Sequence, residues 1–338
     1  MRRRDLLALG AGTLALAAFG QSSAFAAATT EDVLALVEKD DAKLAFYRLR
    51  NGQRLSEIRL PTQPHEIAVS PDGRLAYVAQ YGVARWRGPG TGGDKVSVID
   101  LRTRQHLRDI DLSPYRRLHG IRIDQTGRLY VLAEMDSVLL RFDSPADSDV
   151  PDQAIALGGT RSHYLVVRRD GNRAYVSDSL SGMVIMADPH DPTFEPVKRF
   201  AGKGPEGACL SPDERRYYVV NRYGNAIVAY DAESFEELAR APLRGEAVRV
   251  VALPDGKLVV ANEADRSLSL LRPDTLIEER RLPLPAAAPG LNLAADGRHL
   301  HAALDNDSLA VVDLKRWAMV HSFPTGAGPD TAVVLPRT

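Results

Sequence analysis

A four-part pattern recurs along this chain and limits its fold more than any other feature. Each copy has an apolar segment, a turn of the Pro-Asp-Gly type, a second apolar segment and a third segment that usually ends in Asp. In such a turn Pro fixes φ, Asp accepts backbone hydrogen bonds and Gly takes a positive φ. After a longer first interval the copies follow one another about every 41 to 44 residues, with turns centred on residues 73, 127, 171, 214, 256 and 297.

The segments of each copy have the composition of β-strands. They are rich in Val, Leu, Ile and Tyr, which favour half-buried sheet, and a fourth, more polar segment such as 236–243 follows the third. Four antiparallel strands per repeat make the blade of a propeller. The sequence therefore predicts an all-β fold, a β-propeller with four antiparallel strands per blade.

The two ends of the chain together supply a seventh blade. A further turn would fall near residue 338, so residues 327–338 provide only an innermost strand. Residues 31–60 provide the three missing strands, two of them joined by the hairpin signal Asn51-Gly52. Sharing one blade between both ends leaves no free sheet edge. We predict a seven-bladed ring in one domain, residues 27–338.

The first 26 residues have the features of an export signal. A basic start with Arg3-Arg4 precedes a short apolar stretch and a small-x-small site that ends at Ala26. This order predicts a twin-arginine signal peptide over residues 1–26, cleavage near Ala26 and a periplasmic location. An ordinary secretory signal remains the alternative. No Cys follows the cleavage site, so we expect no lipid or other membrane anchor.

Net charge and cysteine content exclude some classes of partner. The net charge is −1, which gives the chain no overall attraction to nucleic acid. Cys209 is the only cysteine, so no disulfide can form within the chain. The expected partner is a small molecule or another periplasmic protein.

Two segments resemble a known propeller family. Residues 64–78, which include the turn at Pro71-Asp72-Gly73, and the segment Tyr218-Val219-Val220-Asn221 are similar to YVTN-repeat, YncE-like propellers. The resemblance implies the propeller architecture over the mature chain. It leaves function open, because relatives of this repeat include binding proteins, surface-layer proteins, lactonases and the large subunits of quinoprotein amine dehydrogenases.

The residues that begin the innermost strands are the first candidate site. Aligning the seven starts gives His65, His119, His163, Glu206, Ala247, Gly290 and Asp330. Imidazoles with a carboxylate suit a transition metal such as Zn, Fe or Cu. We therefore predict a metal site formed by His65, His119, His163 and Glu206. The alternative is that these histidines were inherited through duplication and bond the backbone of neighbouring blades.

A second set of candidates lies on the same rim, at the ends of the second strands. Glu134 is the predicted catalytic residue, as a general base, and the alternative is that Glu134 and Glu263 support the histidines as hydrogen-bond partners behind them. An insertion at residues 81–94 carries a Trp between two arginines, a combination that can stack on and pair with a planar anionic ligand. The predicted ligand-binding residues are Tyr81, Arg85, Trp86, Arg116, Arg117, Asp178, Arg222 and Glu263. The alternative is that these residues are solvated; His106, His190, His299, His301 and His321 are predicted to lie on the surface.

These features favour a non-enzymatic function. No nucleophile motif or phosphate-binding loop is present in the sequence. We therefore expect an exported propeller that acts as a ligand-binding, protein-binding or scaffold protein through its channel rim. Two alternatives stay open: a metal-dependent hydrolase, lyase or oxidoreductase with the His/His/His/Glu site, and the large subunit of a quinoprotein-type dehydrogenase.

Overall fold

The described part of the chain is built entirely from β-strands. The structure, a computed structural model, describes residues 32–85 and 88–335. These residues form seven antiparallel sheets of four strands each, and they contain no helix that is long and apolar enough to cross a membrane. The predicted fold class is confirmed. The predicted signal peptide, residues 1–26, lies outside the described residues.

Each sheet is one blade, and its strands are numbered in chain order. Blade 1 is β4 (Pro64–Val69), β5 (Leu75–Gln80), β6 (Lys95–Asp100) and β7 (Gln105–Asp111). Blade 2 is β8 (Leu118–Ile123), β9 (Leu129–Ala133), β10 (Val138–Phe142) and β11 (Gln153–Ala156). Blade 3 is β12 (Ser162–Val167), β13 (Ala174–Asp178), β14 (Met183–Ala187) and β15 (Val197–Phe200).

The remaining blades follow the same plan. Blade 4 is β16 (Pro205–Leu210), β17 (Arg216–Asn221), β18 (Ala226–Asp231) and β19 (Glu237–Pro242). Blade 5 is β20 (Ala247–Ala252), β21 (Leu258–Asn262), β22 (Ser267–Leu271) and β23 (Glu278–Pro283). Blade 6 is β24 (Gly290–Leu293), β25 (His299–Leu304), β26 (Ser308–Asp313) and β27 (Ala318–Pro324). Blade 7 is β28 (Pro329–Val334), β1 (Val33–Glu38), β2 (Lys43–Arg48) and β3 (Gln53–Arg59).

The repeated turn forms as its residues dictate. In blade 1 the carboxylate of Asp72 accepts hydrogen bonds from the backbone N–H of Arg74 at 3.0 Å and from the hydroxyl of Ser70 at 2.5 Å. Gly73 has φ +70°, in the left-handed region. Blade 4 has Glu214 at the equivalent place with φ +57°, so this turn tolerates a side chain.

The hydrophobic core is divided into seven parts, one between each pair of neighbouring blades. The second strands show this best. In β9, Val131 packs towards blade 1 and Leu132 towards blade 3, and both side chains are fully buried. A strand that is buried on both faces has no polar alternation, which is why the second strands read as continuous apolar runs. Each blade therefore depends on two neighbours for its stability.

The ring closes through blade 7, as the sequence predicts. The C-terminal strand β28 pairs antiparallel with β1, with Leu34 opposite Val334 and Leu36 opposite Ala332. Its flanks contact β24 of blade 6 and β4 of blade 1. The closing blade thus joins the first and last described strands by main-chain hydrogen bonds.

Removal of residues 327–338 should abolish cooperative folding. Without β28, the strand β1 becomes a free edge, and the apolar layers on both sides of blade 7 open to water. A domain is stable by only about 5–15 kcal/mol, so this loss is decisive. Thermal unfolding followed by circular dichroism measures it, with a chain that ends at Leu335 as the control. A truncated protein that melted like the control would contradict the closure.

His301 is buried, which corrects the prediction that it lies on the surface. It sits in β25 with 1% of its surface exposed, and neither ring nitrogen has a hydrogen-bond partner among the described residues. Burial, together with the charge of His299, lowers the pKa of His301 to about 4, and the nearby Asp296 and Asp32 only partly oppose this. The imidazole is therefore neutral in the folded protein.

The substitution His301→Leu should make the stability of the folded protein less dependent on pH below neutrality. In the unfolded chain this histidine takes up a proton below about pH 6.5, whereas in the folded protein it does so only near pH 4. Its contribution is fully present above pH 6.5 and is lost as the pH falls to 4, about 3 kcal/mol in all. We expect the fall in Tm between pH 7 and pH 5 to be about 3 °C smaller in the variant. His106→Gln is the control, and an unchanged slope in His301→Leu would refute the assignment.

Candidate active site

The innermost strands of six blades contain a β-bulge close to their first residue. In blade 1 the pairing with the second strand passes from Pro64 to Ile67 across a register shift. A bulged residue lacks a strand partner and its side chain leaves the regular alternation. The residues at the bulges are His65, His119, His163, Glu206, Val248 and Asp330. In blade 5 the aligned residue is therefore Val248, because Ala247 pairs regularly with Asn262.

Five of these side chains form a continuous row along the channel wall. The ring centroids of His65 and His119 are 4.0 Å apart, and those of His119 and His163 are also 4.0 Å apart. At one end His65 Nδ1 lies 3.3 Å from Asp330 Oδ2, and at the other His163 Nε2 lies 3.1 Å from Glu206 Oε1. The row has three imidazoles in the middle and a carboxylate at each end.

His163 carries the positive charge of the row. Its Nδ1 donates to Glu134 Oε2 at 2.9 Å and its Nε2 donates to Glu206 Oε1 at 3.1 Å. Burial opposes protonation, but the charge of Glu206 and the bond to Glu134 outweigh it and raise the pKa of His163 to about 10. The same ion pair lowers the pKa of Glu206, although burial of that carboxyl acts in the other direction. Glu206 is therefore ionised and held in place.

Glu134, the predicted catalytic residue, lies behind this pair. Its side chain is fully buried, and its two oxygens accept from the hydroxyl of Tyr81 at 3.1 and 3.0 Å. Arg161 Nε is 3.3 Å from it. All of these contacts, with the bond to His163, use Glu134 inside the protein, so it positions His163.

The other two histidines of the row are neutral. Burial and the charges of Lys39 and Arg249 lower the pKa of His65 well below its ordinary value. Burial and the charge of His163 do the same for His119. Both ring nitrogens of His119 lack a hydrogen-bond partner among the described residues, although the side chain is fully buried. His119 thus offers two unused polar atoms at the centre of the row.

A cavity of about 690 Å³ lies against the row at the mouth of the channel. His65, His163, Glu206 and Asp330 line it from the row, but His119 does not. Blades 5 and 6 leave room on the opposite side because the aligned residues there are the uncharged Val248 and Pro289, which both line the cavity. The sequence analysis placed Gly290 at this position, but Gly290 pairs regularly with Ala303 and follows the aligned residue. A Cβ on Gly290 would lie 2.0 Å from the backbone oxygen of Asp330, so only glycine fits there.

Arg249 reaches into the cavity next to Glu206. Its NH1 atom is 4.0 Å from Glu206 Oε1, and its guanidinium lies 5.1 Å from the ring centroid of Tyr164. Arg122 lies 5.2 Å from the same ring and forms an ion pair with Glu66. The packing on Tyr164 holds a buried positive charge at the side of the ionised carboxylate.

The insertion of blade 1 is fastened to the rim by the two arginines predicted to bind ligand. Arg117 is buried and donates from NH2 to the carbonyl oxygens of Gly88 and Gly90, each at 2.8 Å. Arg116 forms an ion pair with Asp94. Both guanidiniums are used to hold the insertion, which makes them structural in this conformation.

The other residues of the insertion that were predicted to bind ligand are Arg85, Trp86 and Tyr81. Arg85 is exposed and lines the cavity. Trp86 lies outside the described residues. Tyr81, at the base of the insertion, is buried beside the histidine row, with its ring centroid 5.4 Å from that of His65 and 5.2 Å from that of His119.

Of the remaining predicted residues, Asp178 has a structural role, whereas Arg222 and Glu263 line the cavity. Asp178 is fully buried and accepts from the backbone N–H groups of Thr160 at 2.7 Å and Arg161 at 2.8 Å, so it orders the approach to β12. Arg222 and Glu263 form an ion pair with each other and both line the cavity. Burial raises the pKa of Glu263, although the charge of Arg222 acts in the opposite direction.

Comparison with known proteins identifies the family. A family model described as lactonase, seven-bladed β-propeller, matches residues 11–276, well over half of the chain. The chain belongs to this lactonase family. No curated protein matches it.

Solved structures with the same fold support the architecture of this lactonase-family chain. The periplasmic gluconolactonase of Pseudomonas aeruginosa is 16% identical, with 91% of this chain and 99% of that chain covered and a TM-score of 0.72. A protein of Bacteroides uniformis, provisionally assigned as a 6-phosphogluconolactonase, is 16% identical, with coverage of 90% and 100% and a TM-score of 0.73. A functionally unknown protein of Desulfotomaculum acetoxidans is 12% identical, with coverage of 90% and 99% and a TM-score of 0.72. At these identities the likeness shows the fold alone.

Membership of the lactonase family corrects two predictions. The assignment to YVTN-repeat, YncE-like propellers is wrong, because the turn and flanking strands that suggested it follow from blade geometry and are shared among propeller families. The prediction of a non-enzymatic binding or scaffold protein is also wrong, since a lactonase is a hydrolytic enzyme. Of the alternatives left open by the sequence, the enzyme fits best.

Sequence analysis missed several residues of the candidate site. Arg249, Lys39, Asp40 and Asp307 all line the cavity. Arg249 was missed because it follows the aligned residue, Val248, and only the aligned position was compared between blades. The others lie in loops between second and third strands, where charged residues are common and carry no local signal.

Two groups of side chains at the predicted metal site have the geometry to hold an ion: His65, Glu66 and His119, and His119, Glu134 and His163. Both nitrogens of His163 are bonded to carboxylates, whereas His65, Glu66 and His119 have ligand atoms within 4.8 Å of one another. Neutral imidazoles have the protonation state that binds a metal ion. The nearby positive charges lower the pKa values of His65 and His119 and so keep these ligands neutral, which favours metal binding. The same positive charges also repel a metal ion, which opposes it.

Elemental analysis of the purified protein tests the metal prediction. If the row holds an ion, wild type should contain about one transition metal per chain and His119→Ala should contain almost none, because the two free nitrogens of this residue are removed. His106→Ala, an outer-strand histidine, is the matched control. Wild type without metal after expression in metal-supplemented medium would contradict the prediction.

Proposed function

We propose that this protein is a lactone hydrolase whose active site is the cavity beside the histidine row. Membership of the lactonase family supports the reaction class. The observation that carries the assignment to this cavity is the ionised Glu206, which lines it and is held by His163 at 3.1 Å with Arg249 alongside. A fixed base next to a fixed positive charge supplies the two groups that base-assisted attack of water on an ester uses.

The reaction assigns Glu206 the role of general base. Its carboxylate takes a proton from a water molecule in the cavity as the water oxygen attacks the lactone carbonyl carbon. The carbonyl oxygen gains negative charge, which the guanidinium of Arg249 stabilises. The bond from the carbonyl carbon to the ring oxygen then breaks, and Glu206 returns the proton to that oxygen. The product is an open-chain hydroxy acid.

Buried contacts behind the cavity keep this base ready. His163 donates one hydrogen bond to Glu206 and the other to Glu134, so the imidazolium cannot rotate without breaking both. Tyr81 and Arg161 fix Glu134 in turn. Glu134 is thus a positioning residue of the reaction, which gives the predicted catalytic glutamate a role one step away from the substrate.

The location is part of the same proposal. The twin-arginine signal predicted over residues 1–26 supports export to the periplasm and leaves residues 27–338 as the mature enzyme. The similar fold of a periplasmic gluconolactonase agrees with that location. The expected partner is a small-molecule lactone.

The substitution Glu206→Gln should abolish catalysis with little change in fold. The amide keeps the size of the side chain but cannot take a proton, and general-base catalysis contributes about 10²- to 10⁴-fold. We expect kcat on glucono-1,5-lactone to fall by about that factor, measured by acid release at constant pH after subtraction of spontaneous hydrolysis.

Two comparisons make this test specific. Glu237→Gln, at an exposed position of β19 in the same blade, should retain wild-type activity. Circular dichroism should show that Glu206→Gln keeps the native fold, although its Tm falls because buried His163 loses one of its two carboxylate partners. Full activity in Glu206→Gln would refute the role of the base. A wild type inactive on five- and six-membered lactones would refute the proposed function.

A further inference from the structure

The cavity has an acidic side that the proposed mechanism does not use. Asp40, Asp305 and Asp307 line it from the loops after β1 and β25, and all three are exposed. Backbone N–H groups orient two of them: Ala287 donates to Asp305 Oδ1 at 3.1 Å and Gly328 donates to Asp307 Oδ1 at 2.9 Å. Asp305 and Asp307 come from blade 6 and Asp40 comes from blade 7, and all three line the same cavity as the histidine row.

No cationic side chain in the described part of the chain forms an ion pair with these three carboxylates. Arg222 is paired with Glu263, and its Nε lies 3.5 Å from Glu246. Lys39 lies 4.0 Å from Asp330. Arg249 is next to Glu206, as described above. The positive charges of Arg222, Lys39 and Arg249 are therefore already compensated by carboxylates other than these three.

The negative charge that a substrate meets is concentrated on the acidic side of the cavity. The lining has six carboxyl groups, Asp40, Glu206, Glu263, Asp305, Asp307 and Asp330, and the four cations Lys39, Arg85, Arg222 and Arg249. Burial raises the pKa of Glu263 and of Asp330, so the exposed Asp40, Asp305 and Asp307 carry the argument. Among the described lining residues, Arg85 is the cation with no carboxylate at ion-pair distance, and it stands on the insertion of blade 1.

We infer that the substrate is an uncharged polyhydroxylated lactone and that a phosphorylated lactone is disfavoured. The inference rests on the proposed function and adds the substrate class. With the lactone carbonyl at Glu206 and Arg249, the rest of the molecule extends towards Asp40, Asp305 and Asp307. Carboxylates accept hydrogen bonds from hydroxyl groups, whereas a phosphate dianion brought to the same place meets like charge.

Two substrates of the same ring size separate the two classes. We expect kcat/KM for glucono-1,5-lactone to exceed that for its 6-phosphate by at least about 10-fold at low ionic strength. Raising the salt from about 20 mM to about 500 mM should increase kcat/KM for the phosphate ester several-fold, because salt screens exposed charges, and should leave the neutral lactone nearly unchanged.

A charge-removing variant assigns the effect to the acidic side. In Asp305→Asn/Asp307→Asn the ratio of the two kcat/KM values should move towards the phosphate ester by about 10-fold, and its salt dependence should weaken. Asp255→Asn is the control, because it removes an exposed charge from the turn after β20, at the opposite end of the channel.

The outcomes distinguish the two proposals. If the wild type prefers the 6-phosphate, or hydrolyses glucono-1,5-lactone and its 6-phosphate equally well at every salt concentration, the inferred substrate class is wrong. The proposed lactone hydrolase activity is not affected by that result. A wild type that hydrolyses neither ester, nor any other lactone, overturns the proposed function itself.

Discussion

Packing between neighbouring blades is the interaction on which the rest of the molecule depends. No blade can bury its own faces, so each apolar layer is completed by the next blade, and the layers of blade 7 require both ends of the chain. The ring brings the innermost strands so close that a side chain is not tolerated between some of them. A Cβ on Gly120 would lie 2.6 Å from Cβ of Leu165, and one on Gly207 would lie 2.5 Å from the backbone oxygen of Val248. Because the glycines directly follow bulged residues, the strands approach where the functional side chains emerge. The imidazole row with its 4.0 Å spacings is a consequence of that approach.

Charge in the row is arranged so that few groups are left uncompensated. Burying an ionised group is unfavourable unless it is paired and hydrogen-bonded. His163 meets this requirement through two carboxylates, and the resulting ion pair keeps Glu206 ionised. His65 and His119 stay neutral instead, because burial opposes a charge on either ring and nearby positive charges add to that effect. One imidazolium between two glutamates therefore defines the protonation state of the whole row, and it leaves a base that faces the cavity.

The architecture could be predicted from sequence because its signals are local. The turn at Pro71-Asp72-Gly73 and the unpaired strand near residue 330 each follow from a few adjacent residues and from the spacing of the copies. The site was only partly predictable for the opposite reason. Histidines at aligned positions were visible, but the position of a bulge is not, so the alignment in blade 5 named Ala247 in place of Val248 and passed over Arg249, the residue after it. Long-range bonds were also invisible: nothing near Glu134 shows that it will bond His163 of the next blade, and nothing near Arg117 shows that it will hold the carbonyls of Gly88 and Gly90.

The candidate site combines two sets of residues that come from different parts of the fold. The row, to which we assign the chemistry by proposal, comes from bulges of blades 7 and 1 to 4, on strands fixed by main-chain pairing and by the apolar layers. The acidic side comes mainly from loops of blades 6 and 7, whose residues are exposed and carry little of the packing. Changes such as those at Asp305 or Asp307 can therefore alter which lactone is accepted without disturbing the position of Glu206. A ring of separate blades thus allows substrate preference to vary while the reaction stays the same.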